Sequence, residues 1–567
     1  MRDGAAGGIV GMLAAMPLTP TTAPTGEEPR SRTGDDACPG ALRLHRADDG
    51  FLARVRLPGG LLTADQAEEL ALAAEALGDG ALDLTSRGNV QVRGLGSGCG
   101  AELAERLRSA GLLPSDTHER VRNVALSPLS GLDGAGRADV TAWVRELDGL
   151  LCGTPAAAGL SGRFLFAVDD GRGDVAALGA DVTLIAEPDG RALLRVGTEP
   201  AAGRAPGAPA PQRPTGARPD TSPAAPPGEG APGSAAAHDA ADPAPALRVP
   251  ADAAPRAALL TALAFAAASR DSGAKAWRVW ELPARHALTE SRVRAALARA
   301  GIDAEAAPAS ETTAGRTSVG TPETAPLDAA PAPGLVPAPG GERAALSVAA
   351  PLGRLSLAQW RLLVAAARAG RGEMRVTPWR GVVVPGLATA DARHWLGELA
   401  EAGLVTDAAS AWHGVGACTG RPGCAKSLAD VRADAAGALA ATTPSPTTPS
   451  PTEPTPADRR PERRLPVYWS GCERRCGHPR GRWVDVLAGA EGYRISIEGT
   501  ERTAARQVAP APRLGGPPPD AAEAERAGTP DAPDRPDAPG PTEAAAPVGP
   551  LPLAELATTV AAARRVP

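Results

Sequence analysis

Residues 54–95 (RVRLPGGLLTADQAEELALAAEALGDGALDLTSRGNVQVRGL) and 347–387 (SVAAPLGRLSLAQWRLLVAAARAGRGEMRVTPWRGVVVPGL) spell one unit twice. Each reads as a strand, a tight turn, a Thr or Ser N-cap, an amphipathic helix and two short strands about a Gly turn. In the first copy Thr63 caps a helix whose Ala and Leu positions recur at three and four, while ALDLT and VQVRGL alternate as strands do. Such a unit has one apolar sheet face to bury. Two copies packed together bury both, which predicts an internally duplicated α+β body with a pseudo-twofold axis.

A second pattern follows each copy. After the first come HERVRNVALSPLSG, the helix AWVRELDGLL, then LSGRFLFAVDDGRGD and strands to Val196. After the second come HGVGACTGRPGC, the helix AKSLADVRADAAGAL, a Pro-rich insertion, then VYWSGCERRCGHPRGRWVDVLAG and strands to about Gly499. The halves match element for element, and only the second carries paired cysteines. Residues 247–304 are expected to bridge them as a helix, a Trp-bearing strand (AWRVWEL) and another helix. The expected domains are 38–110 and 341–408 for the repeated units, and 111–200 and 409–501 for the segments that follow them.

Composition sets the boundaries. Residues 201–246, 305–340, 437–464 and 502–567 are dominated by Ala, Pro, Gly, Ser and Thr, so they are expected to bury too little apolar surface to order. Residues 1–37 read as a disordered tail whose short small-residue run is too Gly-rich for a signal peptide, and no stretch reads as a membrane span. A net charge of −6 argues against general nucleic-acid binding. Lys occurs only at 275 and 426, as codon bias in a GC-rich genome would produce, so any functional Arg must be argued by position.

Cys418-x5-Cys424 and Cys472-x3-Cys476 place four soft thiolates at two close spacings, the donor set an iron–sulfur cubane requires. The neighbouring glycines allow close backbone approach and leave N–H groups free for the sulfides. Zinc is the competing reading, although its structural sites favour a spacing of two to four residues; four unrelated buried thiols are the third. Cys38, Cys99 and Cys152 are scattered and bring the total to seven, which is no disulfide framework and predicts a reducing, cytoplasmic setting. GLGSGCG (94–100) breaks the dinucleotide-loop spacing, and SAWHGVG lacks a second His at helical spacing.

The half-repeats, the LTSRGNVQVRGL strand-turn-strand, the VRNV segment and the cysteine signature resemble the sirohaem and 4Fe–4S nitrite/sulfite reductase superfamily, across essentially all the segments expected to fold. Within it, ACPGALRLHRADDGFLARVRLPGG and AWRVWELP resemble the precorrin-3B synthase family. That resemblance implies ferredoxin-like half-repeats, one 4Fe–4S cluster on Cys418, Cys424, Cys472 and Cys476, and a second, mononuclear iron. It also implies dioxygen-dependent hydroxylation of precorrin-3A at C20 with γ-lactone formation, in cobalamin biosynthesis. In the reductases the last cysteine, here Cys476, bridges to sirohaem iron, and a sirohaem-dependent sulfite or nitrite reductase is the alternative; a non-catalytic iron–sulfur or tetrapyrrole carrier is the next.

Arg87, Arg122 and Arg163 fall where the superfamily grips tetrapyrrole carboxylates and anions, a task suited to guanidinium forks. The reductases carry a Lys-Phe-Lys type pair where this chain has Arg163 and Leu165; an apolar Leu there weakens that assignment, since reducing a small anion needs charge and protons. His413, His478, Asp169 and Asp170 read as structural, which leaves the second iron without a clear ligand set. With no convincing flavin or nicotinamide site, electrons are expected from an external donor, a ferredoxin or a flavoprotein reductase.

Overall fold

The computed structural model describes residue 36 and residues 38–197, 245–307, 330–442, 464–479, 481–499 and 553–564. The two repeated units form two five-stranded sheets, and each sheet is completed by a strand from the other unit. Arg354–Ser356 pairs antiparallel with Ala81–Leu84, and Leu61–Thr63 pairs antiparallel with Glu373–Val376. The helices Ala64–Leu77 and Leu357–Ala369 pack on one another, with Trp360 fully buried and its Nε1 donating to Ala67 O at 2.7 Å. One core runs through both units: Leu62, Leu70, Leu82 and Val92 share it with Leu355, Leu363 and Val384. The pseudo-twofold is therefore an exchange of strands as well as a packing of faces.

The symmetry extends to single hydrogen bonds. Thr63 and Gln66 form a capping box, as do Ser356 and Gln359, and the two Gln side chains then donate to Ala110 O at 3.1 Å and Ala402 O at 2.9 Å. Each cap satisfies orphaned helix N–H groups while tying its helix to the end of the helix that follows.

The two following segments share a second topology. In the first, Val124–Leu126, Phe166–Asp169 and Val182–Ala186 lie parallel and Arg191–Val196 returns antiparallel. In the second, Val415–Ala417, Val467–Ser470 and Trp483–Gly489 lie parallel and Gly492–Glu498 returns antiparallel. The first sheet is extended by Ala246–Pro250 and Glu305–Ala306. The helices Thr141–Cys152, Ala254–Ser272 and Glu290–Arg299 contribute to its core through residues such as Val144, Ala258, Phe265 and Leu297. By length and composition Ala251–Ser272 could cross a membrane, which the sequence reading did not anticipate; it is half buried within the fold.

Three expectations change. AWRVWEL is not a strand: Val279–Glu281 is a 3-10 turn, because Asp181 accepts from Val279 N at 2.8 Å and pairs with Arg278 at 2.7 Å, winding the segment around one buried carboxylate. The expected linkers at 201–246, 305–340 and 437–464 lie mostly outside the described residues, but their ends include the strands Glu305–Ala306 and Gly334–Pro337 and the end of the helix Val431–Thr442. The expected tail at 502–567 ends in a helix, Leu553–Arg564. Its Leu556, Ala557 and Val560 are buried with Val431, Trp469 and Val486, and Arg564 donates to Leu465 O, Ala411 O and His413 O. Alanine-rich composition hid this helix, since small side chains suffice where helices pack closely. Residues 1–35, which fell within the expected N-terminal tail, lie outside the described residues.

Candidate metal centre and anion basin

Val415–Ala417 and Val467–Ser470 are parallel neighbours in register, Ala417 opposite Trp469. Chain leaving the carboxyl ends of adjacent parallel strands forms a crevice, and both cysteine pairs lie in the loops that leave these ends. Cys418 N donates to Trp469 O at 3.0 Å, and Leu428 N donates to Gly471 O at 2.8 Å, so each loop is tied to the other. Ser427 N closes a turn on Cys424 O at 2.9 Å, Arg475 N closes one on Cys472 O at 3.0 Å, and Tyr468 Oη holds Cys476 O at 2.6 Å. Gly471 N donates to Cys418 Sγ at 3.2 Å, the kind of N–H contact a thiolate ligand receives.

All four thiols are free and only Cys476 is exposed. Burial pushes the Cys418 and Cys476 thiols up, and negative charge on the other members of the quartet adds to the shift in both. Among the described residues no three Cys, His, Asp or Glu side chains stand close enough to hold one metal ion. A cubane takes its thiolates at four separate corners, further apart than the ligands of one zinc ion, and four soft thiolates are the donor type it requires.

The half-domains brace these loops. Arg93 pairs with Asp49 at 2.8 Å and donates to Gly423 O at 3.2 Å, while Arg432 pairs with Asp83 at 2.7 Å. His413 Nδ1 faces Ala408 O at 3.1 Å, and His478 stacks on Trp483 with ring centroids 5.1 Å apart, so both histidines are engaged structurally.

A second charged site lies on the first half. Arg54 and Arg56 flank Val55 at the end of the strand Gly50–Val55, and Arg87 occupies the turn of TSRGNV. Among the described residues none of the three has a carboxylate within 4.0 Å. Arg54 donates to Gln91 Oε1 at 3.0 Å, and Arg87 to Gly162 O at 3.2 Å. Arg56 is 3% exposed, makes only long contacts to Arg120 O at 3.3 Å and Pro39 O at 3.4 Å, and leaves Nη1 unpartnered. Burial, and then repulsion from neighbouring guanidiniums, lowers all three: Arg56 well below its ordinary range and Arg87 to about 10. Guanidiniums gathered with no direct carboxylate partner among the described residues have the chemistry to bind an anion.

Arg163 joins this basin, half-exposed, 4.7 Å from the Trp277 ring centroid and 4.0 Å from Asp36. The Cys38 thiol lies among the same charges; burial pushes it up, and Arg163 and Arg56 oppose that shift. Arg122 does not belong there. Its guanidinium makes a two-point pair with Asp148, 2.7 Å on each side, and donates to Leu112 O at 3.1 Å, which leaves no fork for a ligand. Leu165 is buried with Ala167, Val175 and the partly buried Trp379, a packing role. Arg54 and Arg56 were missed by the sequence reading, although their i, i+2 spacing in RVRL puts both on one strand face.

Where the second half carries its cysteines, the first half carries carboxylates. Beyond Val124–Leu126 and Phe166–Asp169, Asp169 accepts from Gly171 N at 2.9 Å, Gly173 N at 2.8 Å and Ala176 N at 2.9 Å. Arg172 ties Asp170 to Asp133, and Ser127 Oγ donates to Asp174. Asp169 and Asp170 are thus structural, and this self-satisfied knot fills the place of the ligand loops. Burial and the Asp169 charge push Asp174 up to about 8. Between the ordinary carboxyl range and that value the folded state binds the extra proton, so this group disfavours the folded state increasingly as pH rises toward 8. Asp174→Asn is expected to flatten this slope: wild type should lose melting temperature between about pH 5 and pH 8 while the variant loses less, and equal slopes would show that Asp174 is not the group.

Residues 43–110 and 337–402 match the family model described as nitrite/sulfite reductase ferredoxin-like half domain. A ferredoxin–nitrite reductase of Synechococcus elongatus is 35% identical over 128 residues, 22% of this chain and 25% of that protein. A precorrin-3B synthase of a Sinorhizobium species is 33% identical over 128 residues, 23% of this chain and 27% of that protein. The match therefore spans about a quarter of these relatives. The solved structure of Mycobacterium tuberculosis NirA superposes with a TM-score of 0.52 at 18% identity, covering 79% of this chain and 74% of that one, a likeness of fold.

Proposed function

We propose that this chain, built on two nitrite/sulfite reductase ferredoxin-like half domains, is an oxidoreductase of the precorrin-3B synthase type, hydroxylating precorrin-3A with dioxygen and closing a γ-lactone. The observation that carries this reading is the basin of buried Arg56 with the partly buried Arg54 and Arg87, which among the described residues pair with no carboxylate within 4.0 Å and would suit a macrocycle edged with acetates and propionates. Arg163 would reach a further carboxylate from the rim, over Trp277. Cys418, Cys424, Cys472 and Cys476 would hold a 4Fe–4S cluster, which supplies single electrons when bound. Monooxygenation places one oxygen atom on the substrate and reduces the other to water with two electrons and two protons, so a separate electron-donor protein is part of the proposal.

A sirohaem-dependent nitrite reductase is the second reading, favoured by the names of several relatives. Leu165, apolar and packed into a core, speaks against it. The test is oxygen uptake by purified protein given precorrin-3A and a reductant, with mass spectrometry of the tetrapyrrole. The expected product has gained one oxygen atom. Intense sirohaem bands with nitrite consumption and an unchanged tetrapyrrole would overturn the proposal in favour of the reductase.

A further inference from the structure

The repeated units differ at two positions that matter. In the first turn, Gly59 has φ 67° and in the second, Leu352 has φ 54°. In the hairpin, Thr85-Ser86-Arg87-Gly88-Asn89 corresponds by its hydrogen bonds to Thr377-Pro378-Trp379-Arg380-Gly381. Gly88 N donates to Thr85 O and Arg380 N to Thr377 O, both at 3.1 Å, and Asn89 N and Gly381 N each reach the Thr Oγ1 at 3.1 Å. Gly88 has φ 69° and Arg380 φ 58°. A left-handed backbone suits glycine and costs a non-glycine residue of order 1 kcal/mol or more, so the second unit carries strain at both places where the first carries none. Both strained side chains enter the cysteine-bearing domain: Leu352 is in its core, and Arg380 Nη2 donates to Gly477 O at 2.7 Å.

The path of that guanidinium is walled by glycines. A Cβ on Gly353 would lie 2.4 Å from Arg380 Cδ, and one on Gly477 would lie 2.9 Å from both Arg380 Nη2 and Tyr468 Oη. A Cβ on Gly416 would press on the Tyr468 ring at 3.0 Å. Arg380 lies 5.6 Å from that ring's centroid, and Tyr468 Oη holds the preceding carbonyl, Cys476 O, at 2.6 Å. Arg380 has no carboxylate within 4.0 Å among the described residues.

We propose that Arg380 is a positioning residue for the cluster: it fixes the Cys472–Cys476 loop through Gly477 O and sets a positive charge at the residue that follows Cys476, which raises the reduction potential of the cluster. This rests on the cysteine quartet holding a 4Fe–4S cluster. A fixed cation stabilises the more negative, reduced cluster, and a partner that orients a ligand loop slows loss of the group it holds.

The test compares wild type, Arg380→Gly and Arg380→Lys as full chains reconstituted with iron and sulfide. Arg380→Gly restores the residue type of the first unit at the left-handed position, so its melting temperature should stay within about 4 °C of wild type. Its cluster should nevertheless be lost to a chelator about 10-fold faster, with a midpoint potential shifted to more negative values. Arg380→Lys should keep a potential near that of wild type, because the charge is retained. Wild-type rates and potential in Arg380→Gly, beside a wild-type protein that holds its cluster, would overturn this inference alone. If Arg380→Gly fails to fold, Arg380→Lys still decides, since an Arg380→Lys potential well below wild type would refute the charge as the agent. A wild-type protein that takes up no cluster would overturn the metal-centre reading itself and this inference with it.

Discussion

Cys472→Ser should abolish the brown iron–sulfur chromophore while leaving the fold in place, with the cluster held at least about 100-fold less well than in wild type. Serine offers a hard alkoxide that is protonated at neutral pH, where a cluster iron needs a soft thiolate. The loss should be confined to the cluster because Cys472 follows a strand, Val467–Ser470, that is buried throughout, with Tyr468 and Trp469 each 2% exposed. Cys99→Ser and Cys152→Ser are the controls: Cys99 caps the start of the helix Gly100–Ser109 and Cys152 ends the helix Thr141–Cys152, both in the first half and far along the chain from the quartet, and both should keep full iron and sulfide. Iron and labile sulfide assays with visible absorption check the result. Equal loss in the controls would mean general misfolding, and full retention in Cys472→Ser would remove it from the ligand set.

Arg56→Met should move stability and ligand binding in opposite directions. Arg56 is buried with Nη1 unpartnered and, among the described residues, no carboxylate within 4.0 Å, so its charge is desolvated with little direct compensation. Replacing it with an apolar side chain of similar length should stabilise the ligand-free protein by at least about 1 kcal/mol. A hydrogen bond to a charged group contributes roughly 1.5–3 kcal/mol, so loss of the fork should weaken binding of a polycarboxylate tetrapyrrole by about 10- to 100-fold. Thermal melting of the free protein and a titration with uroporphyrin follow the two effects. A variant that melts lower and binds equally well would make Arg56 a structural residue.

Much of this architecture is visible in the chain because local chemistry and global symmetry agree. The caps at Thr63 and Ser356 and the cysteine spacings can all be read from sequence. The strand exchange cannot, since Leu61–Thr63 and Arg354–Ser356 are three residues each and merge with the caps that follow. AWRVWEL alternates like a strand, yet its register is set by one distant carboxylate, Asp181. Arg122 carries the right residue type in the right motif, but Asp148 claims both arms of its fork, a pairing 26 positions away that no local pattern announces. The helix Leu553–Arg564 was masked by an Ala- and Pro-rich surround, because its ordering depends on a surface supplied by another segment. The special positions Leu352 and Arg380 were legible in principle: writing the two repeats one above the other shows glycine replaced at both left-handed turns.

The account rests on four thiolates from two strand-end loops enclosing one inorganic cluster. Electron paramagnetic resonance of the anaerobically prepared, dithionite-reduced full chain, with iron quantified in the same sample, tests it most directly. A reduced 4Fe–4S signal accounting for about one cluster of four irons per chain is predicted. A sample with a single tightly held zinc, or with neither iron nor signal after reconstitution, would contradict it.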